Sequence, residues 1–151
     1  MKKAKVLVIT SRYNEMVTSQ LHASALEHLR TSPHVDTPSI TQSYVSGAFE
    51  LPVVASRAAK SGRFDVILAL GCVIRGETPH FEYISQQVAS GLMSISVHSG
   101  IPTIFGVLTT ETLDQALARA GKNFGNKGRE AAQAGIDAFL ALDQLGLSSH
   151  D

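Results

Sequence analysis

The chain has 151 residues, of which 44% are hydrophobic and 17% are charged. This composition is that of one globular domain, expected over residues 1–151, and it excludes disordered, collagen-like and disulfide-stabilised classes. Thirteen basic side chains balance thirteen acidic ones, so the chain lacks the basic excess that is typical of nucleic-acid-binding proteins.

Short β-branched runs alternate with longer segments of helical period, which is typical of a parallel sheet with helices on both faces. The predicted elements are strand 6–9, helix 15–30, strand 40–45, helix 51–60 closed by Gly62, strand 66–70, a long helix striped by Ile84, Val88, Leu92 and Ile95, strand 103–108, helix 113–120 capped by Thr110, and a last helix striped by Ala132, Ile136, Phe139 and Leu140. The most continuous apolar run, 66–70, is predicted at the centre of the sheet and the more polar 40–45 near an edge. The predicted fold class is α/β, a three-layer α/β/α sandwich with at least four parallel strands.

Targeting and membrane signals are missing from the sequence. The first apolar run, 6–9, is too short for a secretory signal, and no run approaches the roughly 20 residues of a membrane-spanning helix. The single cysteine, Cys72, has no partner for an internal disulfide. The sequence therefore predicts a cytoplasmic protein without membrane or nucleic-acid partners.

Polar and glycine-rich segments follow the first three predicted strands, at 11–15, 46–52 and 71–81. The carboxyl ends of parallel strands meet at one rim of the sheet, which is where open α/β sheets bind ligands. We therefore expect a small-molecule site formed by these three segments.

Two of the segments carry residues that suit a ligand but also have structural interpretations. Tyr13 offers a ring for stacking on a heteroaromatic ligand, with Asn14 as an amide beside it, yet Tyr13 is equally explained as a partly buried staple before a helix. Glu50 either accepts hydrogen bonds from a polyhydroxy ligand or is an acid that complements the helix dipole.

The third segment is the most informative. Its glycines expose backbone N–H groups before a helix start, which favours an anion, and His80 stands at that start, where the dipole favours a neutral, proton-accepting imidazole. The other five histidines, His22, His28, His34, His98 and His150, are expected on helix surfaces or in turns. Cys72 is interpreted as an inert core residue rather than a nucleophile.

A cationic, glycine-rich connection spans residues 119–128. It is either a capped helix end or an anion clamp, in which Arg119 grasps a phosphate and Lys127 acts as a point charge. No metal-binding, nucleophile-elbow or phosphate-loop motif occurs, which disfavours metal and covalent serine chemistry.

Taken together, the segments 11–14, 47–52, 71–81, 105–110, 119–121 and 125–128 resemble the lumazine synthase family. The resemblance implies a flavodoxin-like sandwich with a four-stranded parallel sheet. It implies a cofactor-free condensation of 5-amino-6-(D-ribitylamino)uracil with 3,4-dihydroxy-2-butanone 4-phosphate, the penultimate step of riboflavin biosynthesis. The products are 6,7-dimethyl-8-ribityllumazine, phosphate and water.

The resemblance also implies roles for individual residues. His80 transfers protons, and Glu130 orients it. On the same resemblance, the pyrimidine is bound by Tyr13 and Asn14 and, at its edge, by Cys72, Val73 and Ile74. The ribityl chain is bound by Ala48, Phe49 and Glu50, and the phosphate by Glu77 and Thr78. An adjacent subunit contributes Phe105, Arg119 on the phosphate and Lys127 on the pyrimidine. Ser46 and 122–124 depart from the family pattern, but neither departure removes a named group.

The same resemblance implies a homo-oligomer with sites between subunits, and association with riboflavin synthase. Family members form pentamers, some of which pack into shells of sixty subunits. Because only residues 1–5 precede the first strand, we expect an isolated pentamer. A non-catalytic flavin- or lumazine-binding module and a shell protein with a decayed site remain alternative functions, which an assay for lumazine formation distinguishes.

Overall fold

The computed structural model describes residues 2–121 and 125–148. The four strands are β1 (Val6–Ser11), β2 (Thr41–Val45), β3 (Val66–Ile74) and β4 (Thr103–Thr110). They pair in parallel in the order β2-β1-β3-β4, which confirms the four-stranded α/β sheet. As predicted, β2 lies at an edge and 66–70 is buried inside the sheet.

In residues 2–121 and 125–148, five helices flank this sheet. They are α1 (Glu15–Thr31), α2 (Leu51–Lys60), α3 (His80–Ser99), α4 (Leu113–Ala120) and α5 (Lys127–Gln144), with short 3-10 turns at Thr37–Ser39 and Ala48–Glu50. Because strand side chains alternate between faces, Val6 and Val8 join the core under α1, α4 and α5, whereas Leu7 and Ile9 join the core under α2 and α3. The two cores confirm the three-layer sandwich.

The start of α4 differs from the sequence prediction. Thr112, not Thr110, is the N-cap, and its hydroxyl accepts a hydrogen bond from the Gln115 N–H at 3.1 Å. Thr110 is the last residue of β4, and its hydroxyl donates to the Thr112 carbonyl at 2.9 Å. The strand extends two residues beyond Leu108 because its end pairs with β3 through Ile74 and Thr110, which moves the cap along the chain.

A glycine lets α1 and α5 approach closely. A Cβ atom placed on Gly128, the second residue of α5, would overlap the Leu21 carbonyl oxygen of α1 and lie 3.0 Å from the Leu21 Cα. Gly128 is buried at this contact. The position of the α5 N-terminus, which carries Lys127 and Glu130, therefore depends on the absence of a side chain at residue 128.

None of the helices in the described parts of the chain combines the length and the apolar character needed to cross a membrane.

Candidate active site

A cavity of about 420 Å³ lies at the carboxyl ends of the strands, where the segments after β1, β2 and β3 meet. Ten of the predicted site residues line it: Tyr13, Asn14, Ala48, Phe49, Glu50, Cys72, Val73, Ile74, Thr78 and His80. Phe81 and Ile84 add an apolar wall. Neither was predicted as a site residue, although Phe81 directly follows His80 in the same segment. We call this space the rim cavity.

The end of β3 forms the open edge of the rim cavity. β1 pairs with β3 only from Val66 to Leu70, whereas β4 pairs with β3 as far as Ile74. Residues 71–74 therefore extend beyond the β1 ladder, and the backbone N–H and C=O groups on that side have no strand partner. Such groups must find hydrogen bonds elsewhere, so this overhang can pair with a ligand.

Asn14 occupies part of this overhang. Its side-chain amide donates to the Cys72 carbonyl at 3.0 Å. Its backbone is left-handed, with φ 63°, a conformation that asparagine tolerates better than most residues. The Asn14 amide thus joins the β1–α1 turn to β3.

Tyr13, next to Asn14, has a side chain that is 73% exposed. The interpretation of Tyr13 as a partly buried staple is therefore wrong, and its ring is available on the wall of the rim cavity.

Glu50 lies in the tight turn that leads into α2. The Gly47 N–H donates to Glu50 Oε1 at 2.9 Å, and the Glu50 N–H donates to the Gly47 carbonyl at 3.2 Å. One carboxylate oxygen therefore stabilises the turn, as a helix-start acid does. Because Glu50 is exposed and lines the rim cavity, its second oxygen can serve a ligand as well.

His80 is the first residue of α3 and is exposed at the rim cavity. Its backbone N–H approaches the Thr78 hydroxyl at 3.4 Å, and the Pro79 carbonyl accepts from the Glu82 N–H at 3.1 Å. Glu77 is exposed in the same turn but is not part of the cavity wall.

Cys72 is buried, and burial raises the pKa of its thiol to about 11. This agrees with its interpretation as an inert core residue, because the thiolate is the nucleophilic form.

We expect Cys72 to react very slowly with thiol reagents such as 5,5′-dithiobis(2-nitrobenzoate) at pH 8, where only about a thousandth of such thiols is ionised. The raised pKa also implies that stability falls as the pH rises from about 9 towards 11, because the unfolded thiol loses its proton first. Cys72→Ala should retain activity and weaken that alkaline loss. Fast labelling of the folded protein would contradict this prediction.

Four of the five other predicted site residues lie in a second cavity of about 370 Å³ beside β4, and Glu77 lines neither cavity. Phe105 from β4, Arg119 from the end of α4, and Lys127 and Glu130 from the start of α5 line it. Arg119 donates to the Gln115 carbonyl at 3.0 Å. This contact is the one expected if Arg119 only caps the end of α4. The departure at 122–124 lies outside the described residues. We call this space the β4 cavity.

The predicted site residues are thus divided between two cavities of one chain. Glu130, expected to orient His80, does not line the rim cavity that His80 lines.

His22 is buried, contrary to the sequence prediction of a surface position. Its ring hydrogen-bonds to the Thr10 hydroxyl at 2.6 Å and the Gln42 Oε1 at 2.8 Å, with the Tyr44 hydroxyl at 3.1 Å. α1 packs on β1, and the His22 ring reaches from this helix to Thr10 of β1 and to Gln42 and Tyr44 of the edge strand β2. The position of His22 next to the buried Leu21, with buried Leu26 four residues later, is the sequence signal for this burial. His150 lies outside the described residues.

Comparison with known proteins shows the family. The family model for 6,7-dimethyl-8-ribityllumazine synthase matches residues 3–142. The chain belongs to this family. It is also 43% identical, over 145 residues, to the 6,7-dimethyl-8-ribityllumazine synthase of Protochlamydia amoebophila (strain UWE25), an alignment that covers 96% of this chain and 84% of the relative. The predicted family is therefore confirmed. The predicted enzyme class, a transferase of riboflavin biosynthesis, is confirmed with it.

Proposed function

We propose that this chain, as one domain over residues 1–151, forms 6,7-dimethyl-8-ribityllumazine from 5-amino-6-(D-ribitylamino)uracil and 3,4-dihydroxy-2-butanone 4-phosphate without a cofactor. We further propose that each site combines the rim cavity of one subunit with the β4 cavity of its neighbour. Family membership supports the reaction. The division of the predicted site residues between two cavities is the observation that carries the shared site.

The rim cavity suits the ribitylaminouracil. Apart from the Cys72 carbonyl, which the Asn14 amide binds, the backbone groups of 72–74 on the side away from β4 can pair with the donors and acceptors of a pyrimidine edge, and the exposed Tyr13 ring provides a stacking surface. The turn of Ala48, Phe49 and Glu50 lies beside them. Its carboxylate can accept hydrogen bonds from the ribityl hydroxyls.

The charge of the phosphate substrate favours the shared site. No lysine or arginine lines the rim cavity among residues 2–121 and 125–148, although Thr78 and the backbone N–H groups before α3 can donate to an anion. The β4 cavity supplies Arg119 and Lys127. A neighbour's Arg119 therefore provides the guanidinium that a phosphate binds best, and the neighbour's Glu130 comes within reach of His80.

An exposed apolar surface supports the oligomer. Large apolar side chains are exposed at Phe49, next to the rim cavity, at Val53 on α2, and at Tyr83, Met93 and Val97 on α3. Such a patch on a single subunit is typical of a protein interface. We propose a pentamer in the cytoplasm, with association with riboflavin synthase resting on the family resemblance alone.

The chemistry needs few catalytic groups. Formation of a Schiff base between the uracil amine and the ketone, loss of phosphate and ring closure proceed once the two substrates are held together. His80 moves the protons. It is exposed at the rim cavity, where its ring can reach a bound substrate.

The proposed reaction is tested by mixing the purified protein with both substrates and following the fluorescence of the lumazine together with the release of phosphate. Equal amounts of both products are expected. Tight binding of lumazine or flavin without turnover would instead support the binding-module alternative.

We expect His80→Ala to lower kcat by about one to two decades, at or below the lower end of the roughly 10²–10⁴-fold that general acid–base catalysis contributes, because substrate positioning sustains much of the rate. The pH profile of kcat should become flatter. His98→Ala, which removes an exposed histidine at the other end of α3, is the matched control and should retain the wild-type rate. An unchanged pH profile in His80→Ala would assign the proton transfer to another group.

A further inference from the structure

The turn at residues 76–79 carries the predicted phosphate-binding residues, yet it has little internal support. The Thr78 hydroxyl accepts from the His80 N–H at the long distance of 3.4 Å. A side chain at Gly76 would meet nothing within 4 Å, so no neighbouring atoms pack against that position. The contacts that fix this turn must therefore lie at its two ends.

Arg75, which immediately precedes the turn, holds both ends. Its backbone N–H donates to the Thr110 carbonyl at 2.8 Å. Its guanidinium lies over the Phe81 ring, with Cζ 4.5 Å from the ring centroid, and Nη1 binds the Glu82 carboxylate. Phe81 and Glu82 lie in the first turn of α3, just after His80, so one side chain joins the residue before the turn to the helix that follows it.

The same guanidinium is anchored on a third element. Arg75 Nε lies 2.8 Å and 3.0 Å from the two oxygens of Glu111, the residue after β4. The hydrogen bond from Arg75 holds the pKa of Glu82 below its usual range, so this contact persists at neutral pH. Glu82 Oε2 is shielded from solvent and has no hydrogen-bond partner among the described residues, so Arg75 is the cation that compensates this carboxylate.

We propose that Arg75 is a positioning residue for the phosphate substrate: it fixes the turn so that the Thr78 hydroxyl and the backbone N–H groups face the anion. Arg75 does not line the rim cavity, whereas Gly76, Thr78, His80 and Phe81 do, and its fork already binds two carboxylates. This inference rests on the proposed function. Because Arg75, Glu82 and Glu111 are partly or largely exposed, these ion pairs add little to overall stability. Their effect is instead to fix the geometry of the turn at residues 76–79.

The test measures both KM values, kcat, and the inhibition constant of inorganic phosphate for Arg75→Ala. We expect the KM for the four-carbon phosphate and the phosphate inhibition constant to rise about tenfold, the effect of misplacing charge-assisted hydrogen bonds. The KM for the pyrimidine and the melting temperature should stay close to wild type. Arg75→Lys, which keeps the charge but loses the fork, should recover only part of the affinity.

Two further variants keep the test decisive. Arg63→Ala removes another arginine that stacks on an aromatic ring, Phe64, away from the site, and should change neither KM. The triple variant Arg75→Ala, Glu82→Gln, Glu111→Gln removes the two carboxylates that Arg75 compensates. If this triple variant regained wild-type phosphate affinity, the effect of Arg75 would be charge balance and the positioning role would be overturned.

Equal effects of Arg75→Ala on both substrates, or none, would also overturn the positioning role. Failure of the wild-type protein to form lumazine would instead overturn the proposed function, so the two failures are distinguishable.

Discussion

Gly128→Ala is expected to destabilise the folded chain by about 3 kcal/mol, the upper range for an overpacked interior. The added methyl group would overlap the Leu21 carbonyl oxygen, a backbone atom that cannot rotate away, so α5 must move off α1. The better helix propensity of alanine, about 1 kcal/mol, offsets only part of this cost. Denaturant unfolding at fixed protein concentration measures the loss.

The same variant should lose activity even where it remains folded. Displacement of α5 carries Lys127 and Glu130 away from their places in the β4 cavity. Gly76→Ala is the stability control, because a Cβ atom there meets nothing within 4 Å, and its free energy of unfolding should stay within about 1 kcal/mol of wild type. Wild-type stability of Gly128→Ala would show that the α1–α5 contact is looser than the structure indicates.

Co-assembly of two impaired variants should restore activity if the site is shared. Arg119→Ala damages the β4 cavity and His80→Ala damages the rim cavity. In random one-to-one rings of heterologous interfaces, about a quarter of the interfaces pair an intact His80 with an intact Arg119. Activity should therefore rise to about a quarter of the wild-type value, well above either variant alone, when measured after joint unfolding and reassembly.

The matched control mixes Arg119→Ala with Lys127→Ala. Both residues line the β4 cavity, so every neighbouring subunit would supply one damaged residue and no interface would be complete. This mixture should show no recovery. Recovery in neither mixture, in oligomers shown to contain both chains, would place the complete site within one subunit.

The sheet and its layers follow from local patterns in the sequence. Apolar β-branched runs and helical stripes predicted all four strands and all five helices, because burial on one face requires the matching period. The C-terminal limit of β3 could not be predicted from these local patterns. Its last residues, 71–74, include Gly71 and the mixed sequence Cys72 to Ile74, and they are in the strand because β4 pairs with them, an interaction that no local pattern shows.

The rim cavity was predictable for the same reason that the fold was, since parallel strands bring the segments that follow them to one edge. The separation of Phe105, Arg119, Lys127 and Glu130 into another cavity depends on how α4 and α5 pack, and no spacing along the chain encodes it. The burial of His22 depends likewise on the packing of α1 on β1, which brings the His22 ring to Thr10, Gln42 and Tyr44. These features belong to tertiary packing.

The overhang of β3 is also a short sheet edge. On the side away from β4, residues 71–74 extend beyond the β1 ladder, and an exposed strand edge invites pairing with another polypeptide and so aggregation. The Asn14 amide blocks part of this edge by bonding to the Cys72 carbonyl, and Tyr13 lies beside it on the cavity wall. The proposed pyrimidine ring would take the place of a strand on the groups that remain, so substrate binding would also protect this edge from other chains.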